Sequence, residues 1–223
     1  VLPCYAAEWQ EQSRDWHLLL EDLSDSHRIA TPWPIAPSEA DCRAIVAVQA
    51  RFHAAWWDDQ RLGVSVGAWV GAEEGQRIGQ YIEGCYRKFA DRLGDVLSAE
   101  RRALYERFLA NGLPRIGERH RTRRHLTVIQ GDAHAWNVFL PKEGVEAGPV
   151  LFDWDAWRLG VASFDLAYLM ATHWYPERRR RFETPLLDHY HATLVAAGVQ
   201  GYDRAALDED YRLMVLMQMI LPP

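Results

Sequence analysis

Residues 128–140 read VIQGDAHAWNVFL. An aspartate, a histidine and an asparagine stand close together between two short runs of β-branched and large apolar residues, the composition expected of strands. Alone, Gly131-Asp132 is an ordinary turn pair. The run PVLFDW, residues 149–154, is again strand-sized; it follows the glycine-bearing turn KEGVEAG and delivers Asp153, with Asp155 two positions on. Two strands joined by a short turn bring Asp153 beside Asn137. One carboxylate and one amide oxygen make a hard, oxygen-only site that suits Mg²⁺ rather than zinc. Asp132 then stands free of the metal and close to it. Phosphoryl transfer needs this division of labour, in which metal ions neutralise nucleotide phosphates while a separate carboxylate orients the attacking hydroxyl and accepts its proton.

Outward from this β element the chain reads as helical. Ser38 is a candidate N-cap with Asp41 three residues on, and Ile45, Val48, Phe52, Ala55 and Trp56 follow at spacings of three and four. A second helix is expected from about Gln76 to Leu93. A third starts near Ser98, buries Leu104 and Phe108 and stops at Asn111-Gly112. Further helices are expected over Phe164–His173, over Glu177–Ala197 with Pro185 interrupting it, and from Tyr202 onward. Ahead of the first helix, TPWPIAP, residues 31–37, carries three prolines and reads as a linker. WHLLLEDL, Trp16–Leu23, has the length and content of a buried strand running into an exposed connector.

The totals narrow the classes. A chain of 223 residues supports a sizeable core, and a net charge of −6 argues against a nucleic-acid binder held by phosphate neutralisation. Cys4, Cys42 and Cys85 lie far apart without CxxC spacing, which points away from a disulfide framework or a zinc site and toward a reducing cytoplasm. No apolar run reaches membrane-spanning length, so no membrane partner is expected. The opening on Val1 and the apolar run YRLMVLMQMILPP at the other end suggest a piece of a longer polypeptide. Oligomeric state leaves no signature.

GDAHAWN, then LFDWD after a hairpin, then GVASFDLAYLM resemble in order the catalytic core of the aminoglycoside phosphotransferase family. That family is a branch of the protein-kinase-like fold that also includes choline kinases. The resemblance implies an α+β fold: residues 1–23 as a remnant of the small lobe and hinge, and residues 24–223 as a helix-rich C-terminal catalytic lobe, with most of the small lobe absent. It implies an ATP-dependent, Mg²⁺-dependent kinase acting on a hydroxyl of a small molecule, with Asp132 as catalytic base and Asn137 and Asp153 as metal ligands. Asp165 becomes the anchor bracing the catalytic loop. Backbone groups near Glu21 and Leu23, in LLLEDL, become the hinge that binds the adenine edge. Gln130 stands where the family has histidine, a bracing position an amide can still serve.

Blander readings stand beside these. His134 reads as a hydrogen-bonded structural residue, and Asp155 either as a second metal or substrate contact or as an exposed loop acid. The arginine runs at 119–125 and 178–181 read as solvated faces, although one arginine of the first run is a candidate for approaching a phosphate. Most tryptophans read as core, but Trp136 and Trp157 flank the motifs and are candidates for walling the acceptor pocket. The chief alternative is a non-catalytic kinase-like binding module. A metal-dependent phosphoester hydrolase is the other; it calls for more acids or histidines near the motif than the sequence offers.

Overall fold

The structure, a computed structural model, describes residues 2–219; Val1 and the last four residues of the closing apolar run lie outside them. The chain opens with an antiparallel hairpin, β1 (Cys4–Gln10) and β2 (Asp15–Leu20). The expected buried strand at Trp16–Leu23 is a strand only to Leu20, and it is exposed along its whole length, with Trp16, Leu18, Leu19 and Leu20 uncovered. A two-stranded ribbon has no second layer to bury its apolar side chains against.

Strand β3 (His27–Ile29) leads through the proline-rich segment into α1 (Glu39–Ala55). The Ser38 hydroxyl accepts from the Asp41 N–H at 3.1 Å, capping the helix as its sequence indicates. The buried face of α1 carries Cys42, Ile45, Val46, Gln49, Ala50 and His53. It packs on α6 (Pro176–Ala196), whose buried residues are Leu186, Leu187, Tyr190 and Leu194. This α6 runs on through Pro185 instead of breaking there: the proline removes one hydrogen bond, and the apolar face that follows it holds the helix against the core.

Helix α2 (Ala72–Leu93) begins four residues before the expected start at Gln76. The third helix, α3 (Ala99–Arg107), does not stop at Asn111-Gly112. It passes through a π-helical turn, Phe108–Gly112, into α4 (Leu113–Arg121). Gly112 keeps helical dihedrals and serves close packing, because a Cβ there would lie 2.2 Å from the Phe108 ring. Phe108 is buried as expected, whereas Leu104 is exposed. The helix expected at 164–173 is α5 (Ser163–Ala167) continued by a π-helical turn, Tyr168–Thr172. Helix α7 (Arg204–Gln218) is capped by the Asp203 side chain.

The central β element is two sheets rather than one hairpin. Strand β4 (Thr127–Ile129) pairs with β7 (Arg158–Gly160), a three-residue strand too short to read from composition. Strand β5 (Val138–Pro141) lies between β3 and β6 (Val150–Leu151). The loop 130–137 therefore crosses from one sheet to the other. Strand β6 is only two residues of the strand-sized run 149–154 that the sequence suggested, so Asp153 lies beyond it in the following loop.

Candidate active site

The loop 130–137 is fastened from beneath by a buried carboxylate. Asp165, at the start of α5, accepts from the backbone N–H groups of Gln130 at 2.8 Å and Gly131 at 3.0 Å. His53 Nε2 lies 3.1 Å from the same carboxylate, and His53 Nδ1 lies 2.8 Å from the Tyr190 hydroxyl. A carboxylate only accepts, so Nε2 carries the hydrogen toward Asp165 and Nδ1 accepts from Tyr190. Both His53 and Asp165 are buried, and burial with the Asp165 charge keeps the Tyr190 hydroxyl protonated, well above its ordinary range. Gln49, one turn before His53 on α1, donates to the Ala133 carbonyl at 3.4 Å. Two polar residues four apart on an apolar helix face are the one sequence feature that could have pointed to this brace, and it went unread.

Gly131 allows the loop its turn. Its φ is +86°, and a Cβ would sit 2.2 Å from the Ala156 carbonyl oxygen and 2.5 Å from Arg158 Nη1. Gly131→Ala is expected to lower stability by about 1–3 kcal/mol from the dihedral alone, with the clash added. A urea-unfolding midpoint unchanged by the substitution would contradict this.

Within the loop, Asn137 is bound to Asp132. Its Nδ2 donates to the Asp132 carbonyl at 2.9 Å and to Asp132 Oδ2 at 3.0 Å, which turns the amide nitrogen inward and commits it. His134 Nε2 stands 3.4 Å from the same Oδ2, so this histidine is a partner of Asp132. The Phe152 N–H donates to the Asn137 carbonyl at 3.2 Å, which carries the β5–β6 pairing up to the residue before Asp153. Gln130, at the family's histidine position, donates through Nε2 to the carbonyls of Phe152 at 2.5 Å and Asp153 at 3.0 Å. This amide ties the two loops of the site together.

Asp153 is exposed and has a φ of +60°. Partial burial, then the charges of Asp155 and Asp132, raise its carboxyl above the usual carboxylate range. Burial, then Asp132, pushes the Tyr168 hydroxyl up to about 12. Neither Tyr168 nor His53 stood out in the sequence, since tyrosine and histidine on apolar helix faces are common core residues.

The segment after Glu21 and Leu23, the two residues expected to form a hinge, is tied to the end of β5. Lys142, just after β5, donates from Nζ to the Ser24 carbonyl at 2.7 Å and from its backbone N–H to the Ser26 carbonyl at 2.9 Å. The Glu21 N–H is taken by the Pro3 carbonyl, and the Leu23 carbonyl accepts from Ser26 and His27. The Glu21 carbonyl and the Leu23 N–H bond to no other backbone group among the described residues.

Trp136 and Trp157 part company. Trp136 lies in a ring cluster with Trp33, His134 and His173, whereas Trp157 packs against Gly67. The arginine runs are structural where they are buried. Arg119 makes a two-pronged pair with Asp210 at 2.7 and 2.8 Å, which removes it as a phosphate contact, and Arg178 stacks over Trp174.

Comparison with known proteins agrees with this architecture. The pattern of the phosphotransferase enzyme family (APH) matches residues 15–207. A solved Ralstonia eutropha JMP134 protein, provisionally assigned as an aminoglycoside phosphotransferase, superposes with a TM-score of 0.51, covering 97% of this chain and 76% of that one. The two are 16% identical, so the likeness is one of fold, kinase-like and α+β. No curated protein matches the chain.

Proposed function

The chain belongs to the phosphotransferase enzyme family, and we propose that it is an ATP-dependent kinase that passes the γ-phosphoryl group to a hydroxyl of a small molecule. In this reading Asp132 is the base, and Asn137 and Asp153 are the metal ligands. Gln130, His134 and Asp165 hold these three in place. The Glu21 carbonyl and the Leu23 N–H offer the acceptor and donor that an adenine edge needs. Residues 1–23 act as hinge and small-lobe remnant, and residues 24–223 as the catalytic lobe. The uncovered apolar side chains of β1 and β2 suit a ribbon that belongs to a larger sheet.

The observation that carries this reading is the orientation of Asn137. Its nitrogen is spent on Asp132, so its oxygen is the atom left to face a cation beside Asp153. Among the described residues no group of three His, Cys, Asp or Glu side chains is arranged to hold a metal. That donor set fits Mg²⁺, which is commonly held by one or two protein oxygens together with water and substrate phosphates. When bound, the ion supplies positive charge that neutralises phosphate oxygens. Asp132, about a third exposed, keeps a carboxylate oriented by Asn137 and His134 and open to an incoming hydroxyl. Its task is to align that hydroxyl and take its proton. No helix among the described residues is long and apolar enough to cross a membrane. The three cysteines are free, which supports a cytoplasmic setting.

The direct test is acceptor-dependent ADP release from Mg·ATP by the intact gene product across a panel of hydroxyl compounds. Failure with every acceptor overturns the kinase reading. A second test follows from Asp153. Its carboxyl is raised in the folded state, so its contribution to stability is fullest at low pH and is lost as pH climbs through the carboxylate range and above. At neutral pH the ionised group is therefore a strain that a bound cation relieves. Added Mg²⁺ is expected to raise the melting temperature of the parent and leave Asp153→Asn unmoved. In metal-free buffer at pH 7 the variant is expected to melt no lower than the parent. Equal Mg²⁺ shifts in both proteins would remove Asp153 from the metal site.

A further inference from the structure

Five rings form an unbroken path from the surface to the reacting carboxylate. Trp33, in the proline-rich segment, is 69% exposed, yet its indole is set edge-on against Trp136 with ring centres 4.4 Å apart. Trp136 lies 5.6 Å from His173, and His173 lies 5.6 Å from His134 and 5.2 Å from Tyr168. His134 touches Asp132, and the Tyr168 hydroxyl lies beside it. A tryptophan that is two-thirds in solvent leaves a large apolar surface unused, one ring contact away from the loop that carries the base.

Charge decides what that surface takes. The ionisable groups acting on Tyr168 and His173 are Asp132 and His134, with no further carboxylate among them. Just beyond His173, α6 opens with the four arginines Arg178–Arg181. Arg178 reaches back to donate to the Pro37 carbonyl and to Cys42 Sγ, tying the segment that carries Trp33 to the basic end of α6. An acceptor with several ammonium groups would meet a flank that stays net positive, four guanidinium groups against Glu183 and Glu177, which pair with Arg179 and Arg180, and would find beside the rings only Asp132, already committed as base. Aromatic faces favour flat or apolar surfaces, which they bind by dispersion and stacking.

We propose that the acceptor is a neutral hydroxyl compound with a flat, apolar ring system, held against a wall of Trp33, Trp136 and His173, and that polycationic amino sugars are disfavoured. This specificity rests on the kinase reading above, and the two are separable by experiment. Ligand-observed NMR of the intact gene product measures binding of naphthylethanol, a neutral planar alcohol, and of kanamycin, a polycation. Naphthylethanol is expected to bind the more tightly. Trp33→Ala, at an exposed position, is expected to weaken it about tenfold, and Trp33→Phe to restore most of the loss. The KM for ATP stays at the parent value in both variants. Tighter binding of kanamycin, or naphthylethanol binding indifferent to Trp33→Ala, overturns the proposal. ADP release reports on the kinase reading by itself: Trp33-dependent binding with no phosphoryl transfer to any hydroxyl keeps the wall and removes the kinase.

Discussion

Asp132→Asn is expected to reduce phosphoryl transfer by about two to four orders of magnitude, the usual contribution of a positioned general base. The amide cannot accept the acceptor's proton, although it has nearly the shape of the carboxylate. Its remaining oxygen still accepts from Asn137 Nδ2, so the bond that orients Asn137 survives along with the one to the Asp132 carbonyl. Metal and nucleotide binding should therefore change little, and the loss should fall on kcat rather than on the KM for ATP. Asp132 is part-exposed, so the fold should tolerate the change. Single-turnover phosphorylation measured alongside nucleotide affinity checks both halves of the expectation. A variant that turns over as fast as the parent removes Asp132 as base. A variant that loses nucleotide affinity in proportion to rate makes Asp132 a binding residue.

The second large effect is on stability. Asp165 gathers two backbone N–H groups and the His53 ring in a site from which water is excluded, and His53 in turn receives Tyr190. Asp165→Ala leaves three buried donors without an acceptor, and breaking such a network by removing one partner costs about 3–5 kcal/mol. That is a large fraction of the ~5–15 kcal/mol by which domains of ordinary size are stable. Asp165→Asn keeps one accepting oxygen and is expected to lose less. Tyr190→Phe strips only the partner of His53 Nδ1 and should lose least. The urea midpoints should rank parent, Tyr190→Phe, Asp165→Asn, Asp165→Ala. A loss under about 1 kcal/mol for Asp165→Ala would show that the loop is held by its own turn and its β4 and β5 anchors instead.

What the sequence revealed and what it concealed divide along the range of the interactions involved. The cap at Ser38 and the strand character of 127–129 and 138–141 rest on contacts between near neighbours. Such contacts are set by local side-chain chemistry, which composition and spacing display. The misreadings have the opposite character. Asn111-Gly112 resembles a helix end, but the glycine is there because the Phe108 ring presses against it. Pro185 resembles a break, but packing against α1 carries the helix through. Trp16–Leu20 resembles a buried strand and has nothing above it.

The motifs that carry Asp132, Asn137, Asp153 and Asp165 were by themselves enough to mark the phosphotransferase family, because they follow one another in order along one continuous stretch of chain. Only the tertiary structure decided that β4 pairs with a strand 30 residues downstream. It alone set His53 of α1 against Asp165 and brought Trp33 onto Trp136. Each of those pairings joins residues far apart along the chain, and their encounter depends on how every intervening helix packs.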